Sequence, residues 1–108
     1  MVITIFRSRL RPEHQEQYSQ WAKQIHDLAV TMPGFISIKT FSAEDGERVS
    51  IVEFESEEAV RHWREQADHR QAQELGRKLF YSEYRIQVCH PIRDYSFPKK
   101  TGAAATSD

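Results

Sequence analysis

Two stretches of helical spacing sit among four strand-like runs in the order β-α-β-β-α-β. Few folds accept that order, and the split βαβ, ferredoxin-like arrangement is the first of them. Val2 to Leu10 is the first run, rich in β-branched and aromatic residues and short of helix formers. Its two alternating sets are Val2, Thr4, Phe6, Ser8, Leu10 and Ile3, Ile5, Arg7, Arg9, and both begin apolar. A sheet whose helices cover one face must then have its other face covered as well. A second copy of the same chain is the simplest cover, so the pattern predicts a homodimer that packs sheet on sheet.

Arg11-Pro12-Glu13 is expected to open the first helix, because Pro suits a first turn and Glu suits the positive end of the helix dipole. Tyr18, Trp21, Ile25, Leu28 and Met32 then recur at three- and four-residue steps until Pro33-Gly34 stops them. Phe35 to Ser42 and Arg48 to Glu55 read as an antiparallel hairpin around the Asp45-Gly46 turn signal. Ser56 is the expected N-cap of the next helix, which runs through Ala59, Val60 and Trp63. Ala67-Asp68-His69 kinks or restarts it, and Arg70 to Phe80 follows, with Gly76 marking close packing or ligand approach. Tyr81 to Phe97 is the last strand region; Pro91 within it marks an edge, a bulge or a break. The domain is expected to span residues 1–97, and residues 98–108, without apolar period, to form a flexible tail.

The 108 residues leave room for one domain. Fifteen basic and sixteen acidic side chains nearly cancel, and a net charge of −1 argues against nucleic acid as the partner. No apolar run reaches the roughly 18–20 residues of a membrane span, and Met1 to Phe6 does not have the make-up of a signal peptide. A lone Cys89 excludes a disulfide framework. The expected setting is soluble and cytoplasmic.

Candidate chemistry is thin in places and dense in one. His14, His26, His62, His69 and His90 form no His-x-x-x-His pair, so no metal site is expected. There is no Gly-rich phosphate loop after the first strand, and Cys89 reads as an inert thiol. The dense segment runs from His62 to Gln73 and on to Arg77, Phe80 and Tyr81. On helical spacing Trp63, Gln66 and Arg70 lie near one face, and His69, Gln73, Gly76 and Phe80 near the next. An indole, an imidazole and an amide beside tyrosines can hold an aromatic ligand and move a proton, and His has the pKa for it. On spacing alone the same residues read more readily as a core Trp63 beside a solvated face of His69, Arg70, Gln73 and Arg77. Tyr81, Tyr84, Arg85, Arg93 and Tyr95 fit a pocket or an interface.

Val52-Glu53-Phe54-Glu55-Ser56 leading into Ala59 and Trp63, followed by His69, Gly76 and Phe80, resembles the antibiotic biosynthesis monooxygenase domain of the dimeric α+β barrel superfamily. The resemblance covers roughly Met1 to Phe97. It implies a homodimer whose two sheets meet as a barrel, with a pocket between helices and sheet in each subunit. It also implies oxidation of a small aromatic, quinol or polyphenol by molecular oxygen without metal or flavin. On that reading His69 is the base or hydrogen-bond partner, and Trp63, Arg70, Gln73, Phe80 and Tyr84 meet the substrate. The alternative is a non-catalytic small-molecule-binding or regulatory dimer. A haem-degrading branch of the same fold carries an Asn on its first strand and a Trp and a His about ten residues apart. Trp63 matches, but Gln73 stands where the His would be and the Asn position falls near Ser8, so haem is disfavoured.

Overall fold

In the computed structural model, residues 1–98 are described, apart from the side chains of residues 67–69 and 72. The elements are β1 (Val2–Leu10), α1 (Gln15–Thr31), β2 (Phe35–Ser42), β3 (Arg48–Phe54), α2 (Glu57–Glu65), α3 (Ala67–Leu75) and β4 (Tyr81–Cys89). A π-helical turn, Gly76–Phe80, joins α3 to β4. The strands form one antiparallel sheet in the order β2-β3-β1-β4, the ferredoxin-like topology that the element order predicts.

Side-chain parity organises the sheet. Thr4 faces Val52 on β3 and Val88 on β4; Phe6 faces Ser50 and Ile86; Ser8 faces Arg48 and Tyr84. This set lies under the helices. Ile3, Ile5, Val49 and Ile51 belong to the other set, which the helices leave uncovered, together with the exposed Phe41. The packed core sits at the Val2–Phe54 end, where Val2, Val52 and Phe54 meet Ala29 of α1 and Ala59, Val60 and Trp63 of α2. The opposite end is aromatic: Tyr81 touches Phe6, Tyr18, Trp21 and Tyr84 at centroid distances of 5.3–6.1 Å.

Local signals set most boundaries. Ser56 Oγ accepts the Ala59 N–H at 3.1 Å and caps α2, as expected. The hairpin turns through Gly46 at φ +92°, with Asp45 Oδ1 accepting the Glu47 N–H. Gly34 ends the α1–β2 connection at φ +84°, where an added Cβ would lie 2.7 Å from that of Ala59. Between α2 and α3 the chain restarts: Gln66 is extended at φ −63°, ψ 133°.

Two expectations are corrected. Helix α1 begins at Gln15, after His14 in the left-handed region at φ 63°, and not at Pro12. The Arg11 N–H bonds to the Phe80 carbonyl and its guanidinium to the Tyr81 carbonyl, so this stretch is tied to the start of β4 before it can coil. Strand β4 ends at Cys89 and does not continue to Phe97: Cys89 already faces Ile3 near the start of β1, its one neighbour in the sheet, and Pro91 beyond it removes a ladder donor. Residues 90–98 have no regular structure, and Ile92 and Phe97 are almost wholly exposed. The tail expected over 98–108 lies outside the described residues beyond Pro98.

Candidate functional site

Between the core end and the aromatic end, the helices stand off the sheet. The cavity that results has a volume of about 400 Å³, enough for a multi-ring organic molecule. Its floor is the helix-facing set of the sheet: Thr4, Phe6 and Ser8 of β1, Ile38 and Thr40 of β2, Arg48, Ser50 and Val52 of β3, and Tyr84, Ile86 and Val88 of β4. Tyr18, Trp21 and Ile25 of α1, Val60 and Trp63 of α2 and Gln73 of α3 form its walls, with Tyr81 at the aromatic end. The spacing of Tyr18, Trp21 and Ile25 on α1 brings all three over the sheet, so one helical stripe both packs and lines.

The polar groups around the cavity include two kinds. Thr40 Oγ1 and Ser50 Oγ share a 2.8 Å hydrogen bond. Thr4 Oγ1, on a residue 7% exposed, and Trp21 Nε1 are both cut off from solvent and have no hydrogen-bond partner in the protein. Such groups are rare and costly in a packed interior, and a ligand that bonds them is one physical reason to keep them. Tyr81 is buried, and burial, with Tyr18 beside it, raises its hydroxyl far above the ordinary phenol range; the Arg48 guanidinium opposes this more weakly. Tyr81 is therefore a neutral hydroxyl near neutral pH. Tyr84 is held from outside, its hydroxyl accepting from Arg77 at 3.3 Å.

The expected site residues separate on this geometry. Trp63 is both core and cavity wall: 8% exposed, it lies against Phe54 at a centroid distance of 5.4 Å and still borders the cavity. Gln73 and Tyr84 border it too. Phe80 is buried behind the wall, 5.6 Å from Tyr18 and 5.0 Å from Trp21, and supports the two lining rings. Arg70 is exposed and does not border the cavity. His69 belongs to α3 by its backbone, one turn before Gln73; its side chain lies outside the described residues. Gly76 serves close packing, since a Cβ there would meet the Tyr81 ring at 2.9 and 3.2 Å.

Thr4, Ser8, Tyr18, Trp21, His26, Arg48 and Ser50 are among the lining residues that sequence reasoning missed. A signal for two of them existed: Thr4 and Ser8 interrupt the alternating set that begins with Val2 and includes Phe6. Hydroxyls on the face that helices must cover are out of place unless something polar meets them there. Among the described residues no three of His, Cys, Asp and Glu gather into a group able to hold a metal ion.

Sheet order, helix placement and the cavity between them define an α+β domain of the ferredoxin-like type with a ligand-sized chamber under its helices. The chain belongs to the antibiotic biosynthesis monooxygenase family, whose model matches residues 1–75. It is 29% identical over 94 residues to protein YqjZ of Bacillus subtilis (strain 168), covering 87% of this chain and 82% of that protein. Among solved structures, Rv0793 from Mycobacterium tuberculosis superposes with a TM-score of 0.77 at 19% identity, over 88% of this chain and 98% of that one. SnoaB, a cofactor-independent oxygenase from Streptomyces nogalater, superposes with a TM-score of 0.74 at 14% identity, over 91% and 97%. At these identities the two structures speak for the fold alone. Among the described residues no helix is long and apolar enough to cross a membrane.

Proposed function

We propose that the chain is a cofactor-independent monooxygenase that oxidises a small electron-rich aromatic, a quinol or a polyphenol with molecular oxygen in the cavity between helices and sheet. The observation that carries this reading is the aromatic-walled chamber of about 400 Å³ in a chain of this family. The likeness of the fold to SnoaB supports it.

The chemistry suits such a chamber. A phenolate can pass electrons to oxygen itself, so the protein must bind the phenol, take its proton and keep water out. At a ring methylene the balance is simple: one oxygen atom becomes the new carbonyl, and the other leaves as water with the two hydrogens. In this reading His69 takes the proton. Its place one turn before Gln73, which borders the cavity, supports that role. Trp63 and Tyr84 hold the rings, and Tyr81 closes the aromatic end of the chamber.

The same reading makes the protein a homodimer through the sheet face that the helices leave bare. Ile3, Ile5, Val49 and Ile51 there, with the exposed Phe41 beside them, support sheet-on-sheet packing.

The test is oxygen consumption with a panel of quinols and hydroxyanthrones, with chelator present. Uptake above the autoxidation blank should survive chelation and fall by about a hundredfold in His69→Ala, the scale of a lost general base. Uptake unchanged in that variant would remove His69 from the mechanism. No uptake from any member of the panel would move the function to ligand binding.

A further inference from the structure

The charge of the cavity lining is one-sided. The chain as a whole is nearly balanced, yet the lining residues include Lys23, Arg48 and Arg64 and, among the described residues, no Asp or Glu. The three cations are not equivalent. Lys23 sits on the exposed side of α1 and is paired with Asp27 at 2.8 Å. Arg64 is exposed on α2. Arg48 is half-buried on the floor, on the helix-facing set of β3, opposite Ser8.

Arg48 also differs from the two arginines of β1. Arg7 is bonded to Glu47, and Arg9 to Asp45 and Glu83, all through the face away from the helices. Arg48 has no carboxylate partner among the described residues. Its contact is the Tyr18 ring, with the guanidinium 5.5 Å from the ring centroid. That contact fixes the group over the aromatic end and leaves its N–H fork unspent. A half-buried guanidinium without a counter-charge is costly, and a carboxylate or phenolate oxygen is its natural complement.

A second observation points to a ligand independently of charge. Thr4 Oγ1, more than nine-tenths buried on the same floor, has no hydrogen-bond partner in the protein. The distal floor and wall near it are apolar, with Val52, Ile38 and Val60. The chamber is thus a cation at one end, hydroxyls along the floor and hydrocarbon at the other.

We propose that this chamber selects aromatic anions: Arg48 binds a carboxylate or phenolate oxygen of the ligand and sets its orientation, with the apolar rings lying toward Val52 and Val60. The proposal rests on the aromatic-ligand reading above and adds the sign of the ligand's charge and the residue that reads it.

The test uses two stable, already oxidised probes that share one ring system. Rhein is a dihydroxyanthraquinone with a ring carboxylate; aloe-emodin carries a hydroxymethyl in its place. Dissociation constants are measured by quenching of the Trp21 and Trp63 fluorescence, for the full chain and for Arg48→Gln, Arg48→Lys and Arg64→Gln, each checked for native circular dichroism. The full chain should favour rhein by about tenfold or more, the scale of one charge-assisted bond. That ratio should fall toward one in Arg48→Gln, stay partly in Arg48→Lys and be unchanged in Arg64→Gln. Equal binding of both probes by the full chain would overturn the proposal and leave the aromatic-ligand reading standing. A ratio that persists in Arg48→Gln, or vanishes in Arg64→Gln instead, would overturn the assignment to Arg48. Binding of neither probe would overturn both.

Discussion

Thr4→Val separates what the cavity costs the fold from what it gives the ligand. Exchanges between Thr and Val in a core are usually harmful because a hydroxyl loses or demands a partner. Thr4 has no partner to lose: it is 7% exposed, with its Oγ1 shielded from solvent and unbonded in the protein. A buried hydroxyl left unpaired costs about 1–3 kcal/mol, and a methyl in the same place removes that penalty. Both residues are β-branched and favour strands, so β1 itself is undisturbed. The low end of the range, about 1 kcal/mol of added stability, corresponds to a Tm roughly 5 °C higher for a domain of this size. Thermal unfolding at one fixed protein concentration measures it, since dimerisation would make Tm depend on concentration. If the hydroxyl serves a ligand, the same variant should bind aloe-emodin about fivefold more weakly, the equivalent of one neutral hydrogen bond. A stabler protein that binds less well is the expected pair of results. A lower Tm would show that the hydroxyl is satisfied in solution and would refute the premise. A higher Tm with unchanged binding would leave Thr4 as a packing defect without a role in the site.

Three further outcomes follow from the geometry. Gly34→Ala adds a left-handed backbone at φ +84° to a Cβ contact of 2.7 Å with Ala59, whose side chain has no rotamer with which to yield. Urea denaturation should show a loss of about 2–4 kcal/mol, against about 1–2 kcal/mol for Gly46→Ala, where the nearest atom is 4.0 Å away and only the backbone objects. The Asp45 carboxylate is held below its ordinary range by the Glu47 N–H and then by the Arg9 guanidinium. Its folded value is depressed, so its contribution is present at neutral pH and is lost as pH falls through that depressed value. Asp45→Asn should flatten the acid limb of a stability-against-pH curve, and an unchanged limb would refute the assignment. Ile51→Lys places a charge in the middle of the bare sheet face, beside Ile5. Light scattering should then report half the mass of the parent protein, and a parent already of monomer mass would remove the proposed dimer.

What could be read from the sequence was what short-range chemistry decides. The Asp45-Gly46 turn and the Ser56 cap are each settled within a few residues, and both stand where the sequence puts them. The start of α1 was not legible, because Arg11 is held by the Phe80 and Tyr81 carbonyls, some 70 residues away in the chain. The site divides along the same line. Trp63 and Gln73 belong to the conspicuous aromatic and polar stretch after His62, Tyr84 to the Tyr and Arg group that follows it, and all three border the cavity. Arg48 and Ser50 look like ordinary hairpin residues until the register sets them opposite Ser8 and Phe6 under α1. Whether Trp63 was core or wall had no answer in spacing, because it is both: the indole packs on the Phe54 ring in the core and the residue also bounds the chamber.

The period of two in β1 gives neighbouring residues separate tasks. Thr4, Phe6 and Ser8 line the cavity, while Ile3, Ile5, Arg7 and Arg9 look the other way. On the far face the two arginines of β1 are neutralised by Glu47, Asp45 and Glu83; on the near face Arg48 has no carboxylate partner among the described residues. The same residue type therefore serves two ends, and the presence of a carboxylate across the strand decides which. A charge that finds its counter-ion within the sheet costs little and holds the hairpin in register. A charge left half-buried without one is kept at some expense to stability, and that expense is recovered only when an anion arrives from outside. Placing a counter-charge beside Arg48 on the same face of β3, as in Ser50→Asp, should thus make the protein stabler and its rhein preference weaker together. A change that satisfies the fold and spoils the ligand selectivity is what distinguishes a binding cation from a structural one.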